Sequence, residues 1–311
     1  MNKVMIITEE NVETKWMEGR TAVPFQRTER KPGQHPYMVT ALDSSLWSIY
    51  TGAYGDVRDY LSIVLGERKE TPERLRLRRL EREPKTNYEI AFDDLCETLW
   101  HQMSFYLATW LVLPYLAQLL EGWEKEEDWE WCLQGIVAAG TCLATDVFGD
   151  RPTEESVYKS YENATMVIRA ITIDFLALHM DVIQEKEIWK KREFAAAVMA
   201  ILGERKLAYL FFLAGCQSCY VVCPECENCD EEIEFGYCEP DERIKAAKVP
   251  EKYWDGKNFE DVSLWLFNLF ALLGDREGEE YLCYCFGTYT CPECGKKMQV
   301  LAGMKQYYLS E

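Results

Sequence analysis

Residues 92–106 read FDDLCETLWHQMSFY, and the apolar side chains in this stretch decide the class of fold. Phe92, Leu95, Leu99 and Met103 follow one another at steps of three and four residues, so they lie along one face of an α-helix. Similar stripes predict further helices at residues 129–147, 154–180, 187–202, 205–215 and 258–273. Because strand patterns are scarce before Tyr220, the sequence predicts a mainly α protein.

The predicted helices follow one another with short turns, which is typical of stacked αα-hairpins. Two stretches, LVLPYLAQLLE at 111–121 and FAAAVMAILG at 194–203, resemble the helices of HEAT-like repeat proteins. No fixed repeat period accompanies them, so an irregular helical bundle fits the same pattern. Within the first stretch, Pro114 predicts that the helix ends or bends there.

The chain divides into three predicted parts. Residues 1–86 form an N-terminal segment of irregular chain with a possible helix over 42–65 and a basic connector near its end. Residues 87–215 form the repeat-like helical domain. Residues 216–311, where cysteines become frequent, form what we call the C-terminal lobe, with the helix over 258–273 inserted in it.

The charge of the chain limits its partners. The 311 residues carry 34 Lys and Arg against 53 Asp and Glu, a formal net charge of −19. Such a surface repels the phosphates of nucleic acid and favours a basic protein partner, although acidity can also serve solubility alone. The exception is the run 68–85, which is rich in Arg and offers an alternative nucleic-acid surface, or a solvated connector.

The N-terminal apolar run, VMII at 4–7, is too short for a secretory signal, so we expect a cytoplasmic protein. Residues 98–120 lack charged side chains if His101 is neutral, and they are long enough to span a membrane. Several polar groups and Pro114 interrupt this stretch. We therefore interpret it as two buried helices of a protein without a membrane span.

Two identical Cys-Pro-Glu-Cys knuckles, at 223–226 and 291–294, carry the clearest chemistry in the chain. Two residues between the cysteines let both sulfurs face one point, the proline stiffens the turn, and Gly295 permits a left-handed backbone after the second knuckle. Four thiolates at tetrahedral corners suit zinc and close its coordination shell. We predict one structural Zn²⁺, bound by Cys223, Cys226, Cys291 and Cys294.

The paired Cys-Pro-x-Cys elements resemble a zinc ribbon, which implies a small β element around the ion. This chain departs from that pattern because 64 residues separate Cys226 from Cys291, so the ion would join distant segments. Two alternatives remain open: Cys229 could replace Cys223 as a ligand, and the same four thiolates could hold iron. The other cysteines of the lobe are at 216, 219, 229, 238, 283 and 285, and most of them are interpreted as buried structural thiols rather than a second site.

The sequence offers no recognisable catalytic motif. A closed Cys₄ site leaves no open position for substrate. The three histidines, His35, His101 and His179, belong to no metal or base motif, and His101 is interpreted as a core residue. Phosphate-binding glycine loops and nucleophile elbows are absent, so we expect a protein that is not an enzyme, with an unrecognised active site as the alternative.

Acidic helices followed by a zinc-ribbon-like tail are similar in style to the bacterial immunity proteins that neutralise polymorphic toxins. That resemblance implies a non-enzymatic scaffold, of immunity or antitoxin type, that binds a basic protein. The alternative function is a zinc-ribbon regulator associated with nucleic acid, which would use the basic segment 68–85.

Overall fold

The computed structural model describes residues 23–27, 29–31, 33–68, 86–216, 218–226, 233–236 and 241–309. Within these residues the chain is mainly helical, with eleven α-helices and five short strands that all lie after residue 218. The predicted mainly α class, with small antiparallel strands near the C-terminal end, is therefore confirmed. The three-part division of the chain stays a prediction.

The helices α1 to α8 precede the first strand. They span Arg58–Val64, Asn87–Trp100, Thr109–Lys125, Trp129–Thr145, Glu155–Leu178, Met180–Gln184, Ile188–Leu202 and Arg205–Cys216. Local signals place several of their ends: a capping box of Thr86 and Glu89 starts α2, and Gly203, with φ of 114°, ends α7. The first predicted helix, over 42–65, is instead a 3₁₀ turn at Ser45–Ser48 followed by α1.

The stretch 98–120 is divided between two helices, as expected, because α2 ends at Trp100 and α3 begins at Thr109. The sequence predicted that the helix ends or bends at Pro114. The helix does not end there, since α3 continues through this residue to Lys125. Pro114 removes one N–H from the helix. Every residue from Thr109 to Ala117 is buried, and packing on all sides holds the helix together despite that loss.

Helix α4 lies at the centre of the helical body and packs against α3, α7 and α8. Twelve of its residues are buried. At Gly140 the backbone of α7 comes so close that an added Cβ would lie 2.4 Å from the Cα of Ala197. The stretch Trp129–Phe148 is long and apolar enough to cross a membrane, but 72% of its most apolar window is buried inside the protein.

The described part of the N-terminal segment packs on residues far along the chain. The ring of Phe25 lies 4.7 Å from that of Trp254, and the backbone of Val23 forms two hydrogen bonds with the side chain of Asn268. This part, residues 23–44, has no helix or strand in its described residues, as the irregular composition predicted. The connector at 69–85 and residues 1–22 lie outside the described residues.

The C-terminal lobe combines two small antiparallel sheets with three helices. Strands β1 (Cys219–Val221) and β2 (Ile233–Phe235) form one sheet. The second sheet has the order β3–β4–β5, with strands at Ile244–Lys245, Thr288–Thr290 and Lys297–Gln299. Helices α9 (Val262–Leu273) and α10 (Arg276–Cys285) lie between β3 and β4, and α11 (Val300–Leu309) follows β5 and packs on β1.

Candidate metal centre

Each knuckle begins within two residues of the end of a strand. Cys223 lies two residues beyond the end of β1, and the backbone N–H of Cys226 donates to the carbonyl of Cys223 at 3.4 Å. The second knuckle is the turn between β4 and β5, closed by a hydrogen bond of 2.9 Å from the N–H of Cys291 to the carbonyl of Lys296. Gly295 has φ of 67°, so the left-handed conformation expected after this knuckle is present.

Contacts between the two sheets bring the knuckles together. The hydroxyl of Tyr289 in β4 donates to the carbonyl of Val222 at 2.7 Å, one residue before Cys223. Beside the sulfurs, Lys296 Nζ lies 2.7 Å from Glu225 Oε2. The sequence did not predict this exposed ion pair, because 71 residues separate Glu225 from Lys296. Their positions next to the cysteines were the only signal of the pair.

The four predicted sulfurs lie in one cluster. Cys223 Sγ is 3.8 Å from Cys294 Sγ, Cys226 Sγ is 3.7 Å from Cys291 Sγ, and all four Sγ atoms lie within 4.8 Å of one another. A tetrahedral ion with metal–sulfur bonds of about 2.3 Å requires sulfur–sulfur separations of about 3.8 Å. The four cysteines could therefore hold a metal ion, and the donor set fits one that prefers thiolates.

Backbone groups make Cys291 more acidic than an ordinary cysteine. The pKa of Cys291 is lowered to about 6, chiefly because the backbone N–H of Cys294 donates to its sulfur, with a further contribution from Glu293. The pKa of Cys226 is raised, first by its hydrogen bond with Cys294 and then by burial. The thiolate is the ligand form that metals bind, so the lowered pKa of Cys291 favours a bound cation, whereas a metal must displace the proton of Cys226.

The four cysteines differ in how far they are buried. Cys223 and Cys291 are buried, Cys226 is intermediate, and Cys294 is exposed. The remaining described cysteines do not join the cluster: within the described residues, this is the one group of three or more His, Cys, Asp and Glu side chains close enough to hold a metal. In the lobe, Cys219, Cys283 and Cys285 are buried, as expected of structural thiols. Cys229, Cys238 and the side chain of Cys216 lie outside the described residues, so the alternative ligand Cys229 stays untested.

The histidines lie away from the cysteines. The interpretation of His101 as a core residue is wrong: it follows the end of α2 with 29% of its side chain exposed, and its Nδ1 lies 2.5 Å from Glu97 Oε1. The apolar stripe predicted around it stops at the helix end, where Gln102 and Met103 have positive φ. His179 stacks on Trp129 with ring centroids 3.6 Å apart.

Comparison with protein-family models, with curated proteins and with known solved structures gave no match. The class that the fold and the site define is therefore a mainly helical protein with a four-cysteine cluster that could bind a metal.

Proposed function

We propose that Cys223, Cys226, Cys291 and Cys294 bind one structural zinc ion that holds the two knuckles together. The observation that carries this proposal is the spacing of the sulfurs, 3.7 and 3.8 Å across the two knuckles, which matches a tetrahedral thiolate shell. When bound, zinc would add binding free energy to the folded lobe and no open coordination position. The residues between the knuckles would then be held at both ends.

Metal analysis of protein purified without added metal tests this proposal. We expect about one zinc per chain, and iron instead of zinc would favour the alternative S₄ site. Replacing Cys291 and Cys294 together with Ser should abolish metal binding. The matched control is Cys96→Ser, in helix α2, which should keep the metal. Zinc retained by the double variant would refute the assignment.

We further propose that the protein acts as a non-enzymatic cytoplasmic scaffold that binds a basic protein. The net charge of −19 supports a basic partner. HEAT-like stacking is part of this proposal, and the pairing of neighbouring helices α3 with α4 and α7 with α8, with α4 packed on α7, supports it. The resemblance to toxin-neutralising immunity proteins makes a basic toxin the first partner to test.

The surface that we propose for the basic partner lies at one corner of the helical body. The turn between α3 and α4 and the turn between α6 and α7 meet there, where Lys186 Nζ lies 2.6 Å from Glu130 Oε1. Acidic side chains are exposed around this corner, at Glu126, Glu127, Glu130, Glu185 and Glu187. Ile188 and Trp189, at the start of α7, are 42% and 51% exposed. An aromatic side chain with an acidic rim is the composition of a site for a basic protein surface.

Affinity purification from the source cells, followed by identification of the bound proteins, tests the scaffold function. We expect a basic protein that binds the wild type and is lost when Glu185 and Glu187 are both changed to Lys. The matched control changes two exposed acids of the C-terminal lobe, Glu242 and Glu251, to Lys. A partner that binds both double variants equally, or no specific protein partner, would contradict this function.

A nucleic-acid ligand whose binding weakens steeply with salt would point instead to the basic segment 68–85. The structure describes only Arg68 of this segment, and that side chain forms an ion pair with Asp59.

A further inference from the structure

A groove of about 1170 Å³ lies between the described residues of the irregular chain at 27–37 and helix α5. Arg27, Lys31, Arg169 and Asp174 are among the residues that line it. Sites for small molecules in proteins have volumes of roughly 300–1,000 Å³, so the groove is large enough to hold one. It lies outside the C-terminal lobe and includes no residue of the cysteine cluster.

Three cations of the groove are only weakly compensated by carboxylates in the described part of the chain. Arg27 forms one long ion pair, with its Nε 3.7 Å from Asp174 Oδ1, and 62% of its side chain is exposed. Arg169 donates to a backbone carbonyl, that of Leu202, at 2.6 Å. Lys31 forms no ion pair with a described residue. Burial lowers the pKa of Arg169, as expected of a cation whose charge is incompletely compensated.

The carboxylates of the groove also have other partners. Glu121 accepts a hydrogen bond of 2.5 Å from the hydroxyl of Tyr37. Arg30 forms ion pairs with Glu124 and with Asp174, whose Oδ2 lies 3.0 Å from Arg30 Nε. On a chain with 19 more acidic than basic groups, a groove whose cations have so little carboxylate compensation is unusual and favours an anion as an additional partner.

Asp174 supplies a second observation. Its side chain is only 5% exposed, and its Oδ1 is buried without a hydrogen-bond donor among the described residues. A buried carboxylate oxygen without a donor costs free energy, so buried acceptors are normally paired. A hydroxyl or amino group of a bound molecule would provide the donor.

We propose that this groove binds a small anionic molecule, whose phosphate or carboxylate group contacts Arg27, Lys31 and Arg169 and whose hydroxyl or amino group donates to Asp174. Guanidinium groups bind both kinds of anion in a bidentate manner, so phosphate and carboxylate are two sources of the same chemistry. This site does not depend on the zinc or on a protein partner.

Isothermal titration calorimetry of the full chain with two probes tests the proposal. Ribose 5-phosphate offers a phosphate with hydroxyl groups, and citrate offers carboxylates with one hydroxyl. Both titrations are compared with sodium chloride at the same ionic strength. We expect at least one probe to bind, and binding of one alone identifies the class of anion.

Variants locate the binding. Arg27→Gln and Lys31→Gln should each weaken binding about tenfold, the loss expected of one charge-assisted hydrogen bond. The control is Lys206→Gln, an exposed lysine of α8 outside the groove, which should bind as the wild type does. The proposal is overturned if neither probe binds, if the two groove variants bind as tightly as the wild type, or if all three variants lose affinity equally.

Discussion

Replacing Asp275 with Ala should loosen the junction between the helical body and the C-terminal lobe. Asp275 precedes α10, is 2% exposed, and accepts hydrogen bonds from Arg192 of α7 at 2.8 and 3.0 Å. It also caps its own helix, since its Oδ1 accepts from the backbone N–H of Gly278 at 2.9 Å. One carboxylate therefore serves both an ion pair between the two parts and the start of α10.

The expected cost follows from these contacts. Removing one partner of a buried ion pair costs about 3–5 kcal/mol, and loss of a helix cap adds about 1 kcal/mol. Arg192 keeps a second carboxylate, Glu277 Oε2 at 2.7 Å, so the ion-pair loss belongs at the low end of that range. We expect a free energy of unfolding lower by about 4 kcal/mol for Asp275→Ala. Asp275→Asn keeps an acceptor for the cap and should cost about 1 kcal/mol less.

Urea unfolding followed by tryptophan fluorescence measures these differences. The control is Arg151→Met, which breaks an exposed ion pair with Glu155 at the start of α5 and should cost no more than about 1 kcal/mol. A cost for Asp275→Ala as small as that of the control would refute the reasoning. Equal costs for the Ala and Asn variants would refute the contribution of the cap.

Three further outcomes are expected. Gly140→Ala should lower the free energy of unfolding by about 2 kcal/mol because the added Cβ meets Ala197. Gly122→Ala should raise the free energy of unfolding by about 1 kcal/mol, because Gly122 lies in α3 with open space beside it. Burial raises the pKa of Asp146 despite its ion pair with Arg205, so folding favours the protonated acid and the contribution of Asp146 to stability falls as pH rises. Asp146→Asn should therefore gain stability relative to wild type as the pH rises above about 4. A zinc chelator should lower the thermal midpoint of the wild type.

Each outcome has a result that contradicts it. Glycine variants of equal stability would contradict the close approach of α4 and α7. A pH profile for Asp146→Asn parallel to that of the wild type would contradict the effect of burial on that carboxyl group. A thermal midpoint unchanged by chelation would count against a structural metal.

Most helices were predictable because an apolar stripe is a local property of the chain. The predicted helix over 187–202 is Ile188–Leu202 in the structure, and that over 154–180 is Glu155–Leu178. Predictions failed where a local signal did not decide the packing or the exposure of a residue. Pro114 did not end α3, because the surrounding residues are packed on all sides. His101 follows the last turn of its helix, where an apolar pattern no longer decides exposure.

The cysteine cluster was predictable for a chemical reason, since two residues between cysteines turn both sulfurs toward one point. What the sequence by itself determined is the mainly helical class and the four cysteines that could share an ion, because helical periodicity and knuckle spacing act over a few residues. Only the tertiary structure decided that α4 is central, that Arg192 meets Asp275 across 83 residues, and that Arg27, Lys31 and Arg169 line a groove beside Asp174. These arrangements come from packing between distant segments, and such contacts leave no pattern in neighbouring residues.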